Sequence, residues 1–234
     1  MEKLLQLPTG PIPYTLKVSA NRRTIGLRID ERGLTVHIPK CAAWSNVEKL
    51  LHEKSAWILS KLALRERAPA PMEWTDGAPL LHLGQDIRLC LHQDARNRMF
   101  EFDGATLYIS QPNPNDTAAV QRKVTQWYRK QALADFTRRI ELLAAKLGVT
   151  PTALFLSSAK TRWGSCNSKG EIRLHWRLIQ APPHIIHYVV AHELAHLKEM
   201  NHSPKFWAWV EKLCPNYSTA RQELKVLSAQ LHLV

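Results

Sequence analysis

Residues 191–202 read AHELAHLKEMNH, a stretch dense in metal-ligating side chains. On a helix, positions four apart are separated by about 400°, so His192 and His196 project from one face, one turn apart, and can share one metal ion. Neutral imidazole nitrogen suits zinc, Zn(2+), at about 2.0–2.1 Å, and a catalytic zinc takes three protein ligands with water in the fourth position. Glu193 is rotated by about 100° from His192, where its carboxylate meets that water and not the metal, the place of a general base. A third ligand has to come from beyond the turn. His202 follows Asn201, a residue that tolerates the left-handed conformation ending many helices, and precedes Ser203-Pro204, which starts a new helix. The expected set is His192, His196 and His202 on the metal with Glu193 catalytic. Such a metal lowers the pKa of its bound water from 15.7 towards about 7, and Glu193 takes the proton as hydroxide attacks a carbonyl or phosphoryl centre. The bland alternative is two core histidines and a surface ion pair for Glu193.

Other polar residues near this stretch carry weaker signals. His184 and Tyr188 lie eight and four residues before His192, hence near the same face, as partners of a ligand or as plain surface. His175 and Cys166 approach the metal only if their hairpin packs over it, and a cysteine in that setting is more often a small buried apolar residue. Trp207 and Trp209 fall at helical packing positions.

Elements that could position these residues follow from hydrophobic periodicity. Alternating or apolar segments at Tyr14–Val18, Thr24–Ile29 and Leu34–Ile38, the last two around the turn signal Asp30-Glu31-Arg32-Gly33, predict a small antiparallel sheet. Ser45 and Glu48 form a capping-box pattern before a helix that presents Val47, Leu50, Leu51, Trp57, Ile58 and Leu62 and ends near Arg67. Ala68-Pro69-Ala70-Pro71 reads as a stiff connector. Strands at Leu80–Leu83 and Asp86–Leu91, and a hairpin of Phe100–Phe102 with Thr106–Ile109, complete a strand-rich lobe over residues 1–111. The second lobe, residues 112–234, opens with a long helix capped by Asn115 or Asp116, presenting Val120, Val124, Trp127, Leu133, Phe136, Ile140, Leu143 and Leu147 and stopped by Gly148. Strands at Leu154–Ser157 and Ile172–Leu174 flank a loop carrying Arg162-Trp163-Gly164-Ser165-Cys166, and three helices finish the chain. The fold class is α+β, with no internal repeat visible.

Composition excludes several classes. With 45% hydrophobic and 22% charged residues the chain is globular, and no run approaches a membrane span. The start of the chain lacks the apolar core of a signal peptide, so the expected location is cytoplasmic, with Cys41, Cys90, Cys166 and Cys214 as reduced thiols. The formal charge is +12, of which residues 115–234 hold +9. Arg122, Lys123, Arg129, Lys130, Arg138 and Arg139 on the long helix form a face that could meet a nucleic acid, but without interleaved aromatics a solvated basic surface is the better explanation.

Three separated pieces, KTRWGSC, IRLHWRLIQAP and HYVVAHELAHLKEMNHSPKFW, occur in order between residues 160 and 207. Together they resemble the YgjP-like metallopeptidase domain family, and the resemblance implies a zincin-like lobe with His192, His196 and His202 as zinc ligands and Glu193 catalytic. Members of that family usually read Leu-Asn-Trp where this chain has Leu174-His175-Trp176. The ligand spacing equals that of metzincins, but Glu199 stands in place of their turn glycine and no methionine follows Met200. The His-Ser-Pro-Lys-Phe piece also resembles SprT-like proteases, which act on proteins attached to DNA.

These readings converge on a zinc-dependent peptide-bond hydrolase that binds an extended polypeptide along Arg162, Trp163, Gly164 and Ser165. Because some YgjP-like proteins are described as nucleoside triphosphate pyrophosphatases, a nucleotide substrate is the second expectation. A non-catalytic zinc module with nucleic-acid affinity is the third, disfavoured by the want of a nearby fourth Cys or His ligand.

Overall fold

The computed structural model describes residues 2–7, 10–30, 33–66, 72–94, 100–159 and 161–231. It divides into two units, Met1–Pro69 and Ala70–Val234, and the secondary structure is α+β.

The first unit contains β1 (Glu2–Leu7), β2 (Gly10–Ser19), β3 (Gly26–Asp30), β4 (Gly33–Pro39), α1 (Trp44–Glu53) and α2 (Ser55–Glu66). Its sheet runs β1-β2-β4-β3, with β2 parallel to β4 and both outer pairs antiparallel. The sheet is therefore mixed and not purely antiparallel: β3 lands two places from β2, and β4 folds back into the gap. Alternation directs Tyr14, Leu34, Val36 and Ile38 to one face, where they form a core with Val47, Leu51 and Ile58 of the helices. The expected single helix is broken at Lys54. The capping box also fails, since the N-cap is Ala43, without a side-chain bond, and Glu48 accepts instead from the Trp44 indole at 2.7 Å. Glu31-Arg32, the helix end near Arg67 and the 68–71 connector lie outside the described residues.

In the second unit β5 (Pro79–His82), β6 (Gln85–Gln93), β7 (Phe100–Phe102) and β8 (Thr106–Gln111) form a sheet of order β5-β6-β8-β7. Again the inner pair is parallel and the outer pairs antiparallel, so the two sheets repeat one topology. Identity along the chain does not reveal this, because a strand needs only alternating apolar residues. The expected lobe boundary at 111/112 is corrected by packing. Leu80, Ile87, Leu89, Leu107 and Ile109 share a core with Val120, Val124 and Trp127 of α3 (Thr117–Leu147). Redrawn at 69/70, each unit carries +6: 12 basic against 6 acidic residues in 1–69, and 20 against 14 in 70–234.

Asp116 caps α3 by accepting from the Ala119 amide at 2.9 Å, and Gly148 ends it at φ 64°. Leu133 faces outward, 46% exposed, while Ala132 and Asp135 are buried. Of the basic side chains expected to form a polyanion face, Lys123 donates to the Ser110 carbonyl, and Arg138 and Arg139 both bond Asp135. Behind α3 a third sheet has the order β10-β11-β9, from β9 (Ala153–Ser157), β10 (Gly164–Cys166) and β11 (Glu171–His175). The loop expected at 162–166 thus contains a short edge strand. Next come a 3-10 helix (Trp176–Gln180), α4 (Pro183–Ala195), α5 (Pro204–Leu213) and α6 (Tyr217–Leu231). Among the described residues no helix is long and apolar enough to cross a membrane.

Arg139 connects α3 to the start of α4, pairing with Asp135 at 2.6 Å and donating to the Pro183 carbonyl at 3.2 Å. Asp135 is 8% exposed and Arg139 only 15%, so removing the carboxylate strands a nearly buried guanidinium. Asp135→Ala is expected to lower unfolding stability by about 3 kcal/mol in urea titrations. Arg138→Ala, at a side chain 70% exposed, should cost less than about 1 kcal/mol.

Candidate metal centre

Helix α4 is apolar nearly all round: Ile185, Ile186, Val189, Val190, Ala191 and Leu194 are buried. A helix with that profile must run through the core, which carries the polar residues of its last turn inside with it. Glu193 is 5% exposed, His196 is 9% exposed, and His192 is half-buried. Pro183 at the first turn fits the fixed φ of proline.

The helix ends at Ala195, earlier than expected, with His196 as C-cap still in right-handed geometry. Asn201 has no positive φ; its side-chain Oδ1 instead accepts from the Ser203 amide at 2.9 Å. Ser203 then caps α5 by accepting from the Phe206 amide. This turn places His202 opposite the helix. The ring centroids are 5.1 Å apart for His192–His196, 5.1 Å for His192–His202 and 4.8 Å for His196–His202. One ligating atom from each lies within 4.8 Å of the others.

The donor set fits a tetrahedral metal. Nε2 of His192 and Nε2 of His202 are 3.2 Å apart, close to the edge of about 3.3–3.4 Å that bonds of about 2.0–2.1 Å produce. Nδ1 of His196 bonds the Glu199 carbonyl at 3.2 Å, which assigns it the proton and leaves Nε2 for the metal. Phe206 walls the cage, its ring 4.9, 4.5 and 4.7 Å from those of His192, His196 and His202. Burial, reinforced by His196, His202 and Arg221, holds the His192 pKa down at about 3, and burial also lowers that of His196, so both are neutral and able to ligate.

Glu193 packs its carboxyl against β10. A Cβ built on Gly164 would touch its Oε1 and lie 2.7 Å from its Cγ and Cδ, so only glycine permits this approach. Burial pushes the Glu193 carboxyl up to about 8, opposed by the nearby Arg162 charge. Of the four residues expected to touch substrate, Gly164 thus supports Glu193. Trp163 spends its indole N–H on Ser228 of α6 at 3.0 Å, Arg162 is exposed, and Ser165 lies within the edge strand.

His175 does not approach the metal. It is 1% exposed, set against Trp163 and Trp176, and its Nδ1 accepts from the Arg177 amide at 3.2 Å, capping the 3-10 helix. An asparagine would cap in the same way, which accounts for the difference from Leu-Asn-Trp. Cys166 is half-buried and its thiol pKa rises to about 11, through burial and then the Glu193 charge. His184 pairs with Glu223 at the surface, 2.6 Å, while Tyr188 sets its ring 6.0 Å from that of His192. Trp207, expected only to pack, stands 5.7 and 5.9 Å from the rings of His192 and His202 and carries Arg221 5.1 Å from its centroid. Arg221, 19 residues beyond His202, has no local motif that would have flagged it.

The chain matches the YgjP-like metallopeptidase domain family over residues 23–227. A curated relative, the UTP pyrophosphatase of Escherichia coli (strain K12), is 33% identical over 90 residues, covering 38% of this chain. The match spans 54% of that protein, about half its length. Among solved structures, the metallopeptidase zymogen of Pyrococcus abyssi abylysin is 24% identical with a TM-score of 0.37, covering 40% of this chain and 95% of that one. The zymogen of Methanocaldococcus jannaschii jannalysin is 20% identical with a TM-score of 0.35, covering 41% and 96%. The family match takes in β10, Glu193 and all three histidines, and this chain belongs to the YgjP-like metallopeptidase domain family.

Proposed function

We propose that the chain is a zinc-dependent hydrolase that cleaves a peptide bond in an extended polypeptide laid along β10. The observation that carries this reading is the position of that strand, at the edge of its sheet and directly against Glu193. Trp163 O accepts from His175 N, and Asn167 N donates to Glu171 O. In antiparallel alternation Ser165 is then the next residue bonded to β11, and the backbone groups of Gly164 and Cys166 point outward. A substrate strand pairing there would gain main-chain hydrogen bonds with little demand on its sequence. The β10–β11 turn leads to a cleft of about 340 Å³ bounded by Asn167, Lys169, His196 and Leu197.

His192, His196 and His202 would hold the zinc. Bound there, it would lower the pKa of its water towards about 7 and polarise the substrate carbonyl. Glu193, beside that position, takes the proton and returns it to the leaving amine. Gly164 leaves the carboxyl room, and the apolar surroundings favour its protonated form once it has accepted the proton. Three described histidines without a fourth ligand suit a catalytic site better than a closed structural one.

A second reading, hydrolysis of a nucleoside triphosphate to release pyrophosphate, is favoured by the activity named for the Escherichia coli relative. Its hydrolytic groups would be the same. Cleavage of an unfolded protein measured beside pyrophosphate release from UTP separates the two.

Glu193→Gln should lower turnover by about 10²–10⁴-fold while zinc stoichiometry is unchanged; full activity in this variant would remove Glu193 from the reaction. Gly164→Ala should reduce turnover on the order of 100-fold through displacement of the carboxyl, again with zinc retained. In the metal-free protein the raised Glu193 pKa, about 8 against an ordinary 4.5, gives stability that is complete below pH 4.5 and lost as pH rises through 8. The unfolding temperature of wild type should therefore fall relative to Glu193→Gln across that window.

A further inference from the structure

Several cations of the second unit are engaged in structural contacts. Arg138 and Arg139 bond Asp135, Arg173 pairs with Glu171, and Lys198 donates to the Gly148 carbonyl. Two arginines, Arg162 and Arg221, stand beside the histidine centre, and among the described residues neither has a salt-bridge partner. The acid nearest Arg221 in sequence, Glu223, is held by His184.

They reach the centre from different elements. Arg162 lies just ahead of β10, two residues before the glycine on which Glu193 rests, and its charge acts on the Glu193 carboxyl. Arg221 lies in the second turn of α6. Its guanidinium carbon is 5.1 Å from the centroid of Trp207, whose ring also stacks on Tyr217 at 5.2 Å and 19°. The same indole stands 5.7 Å from the ring of His192. Stacking on an indole fixes the plane of a guanidinium without consuming its N–H donors, which can then bond two oxygens of a carboxylate or phosphate.

We propose that Arg162 and Arg221 form an anion clamp across the histidine centre, selecting substrates that carry an oxyacid group, carboxylate or phosphate, next to the bond that breaks. The clamp rests on the hydrolytic reading above and narrows its substrate class. Two cations beside the histidine centre build a local positive excess that one buried carboxyl does not offset, and an anionic substrate would neutralise it on binding. For a polypeptide this group is the C-terminal carboxylate, which makes the enzyme a carboxypeptidase; for a nucleotide it is a phosphate.

Both side chains are exposed, so Arg162→Gln and Arg221→Gln should fold normally. Titration calorimetry of the metal-free proteins with pyrophosphate is expected to show binding by wild type that weakens about tenfold in each variant. In the zinc-loaded proteins, KM for UTP or for a peptide with a free C-terminus, whichever is cleaved, should rise about tenfold more than KM for the C-terminally amidated peptide. A preference for the free acid over the amide, or for UTP over both, identifies the source of the anion. Equal pyrophosphate binding by wild type and the double variant, or equal losses on acid and amide, would overturn the clamp. Arginine-dependent pyrophosphate binding without any turnover keeps the clamp and discards the hydrolytic reading.

Discussion

The approach of the Glu193 carboxyl to the bare backbone of Gly164 is the constraint on which the metal unit turns. It sets the spacing between α4 and β10 to less than any side chain permits, and neighbouring contacts maintain that spacing. β11 holds β10 in register from Gly164 to Cys166, and the Trp163 indole ties the strand entry to Ser228 on α6. On the opposite side, Arg139 bonds the Pro183 carbonyl at the start of α4. The helix is thus located at its beginning by a charged bond and near its end by steric contact, and the histidine geometry inherits that precision.

Burial is what makes the polar groups reactive. An exposed glutamate would stay ionised and hydrated at neutral pH, whereas the Glu193 carboxyl resists ionisation because ionising it leaves a charge among apolar side chains. The same desolvation keeps His192 unprotonated, so the two neighbours are pushed in opposite directions on the pH scale. Neutral His192 and His196 have no proton to expel when a metal binds.

Local rules made the heart of the site legible. Period 3.6 places His192 and His196 on one face, and Ser203-Pro204 announces the helix that fixes His202, since both signals lie within one or two turns of the residues they govern. The Asp116 cap and the Gly148 stop on α3 were readable for the same reason. What escaped was set by contacts between distant segments. No pattern within Arg162–Cys166 reveals that Gly164 is glycine for the sake of Glu193, 29 residues on. Arg221 acquires its place only because α6 returns past Trp207. The end of α4 was misjudged because Asn201 works through its side chain, not its backbone.

The unit boundary shows how a sequence signal can be real and yet be misassigned. Gln111-Pro112-Asn113-Pro114 has the composition of a linker, but its polar groups bond one another: Gln111 Nε2 donates to the Asn113 carbonyl at 2.7 Å, and Asn113 accepts from the Asn115 and Asp116 amides. It is a tight turn that feeds β8 into α3, and the sheet before it shares a core with the helix after it. The corresponding sheet of the first unit, with the same strand order, closes instead over α1 and α2. One four-stranded arrangement thus supports two different helical partners, and the difference lies in the helix that follows. Alone on its sheet, a helix pair completes a small core. A 31-residue helix outruns its sheet and also packs against β9, the 3-10 helix, α4 and α5, which is where a buried metal-binding helix can be built.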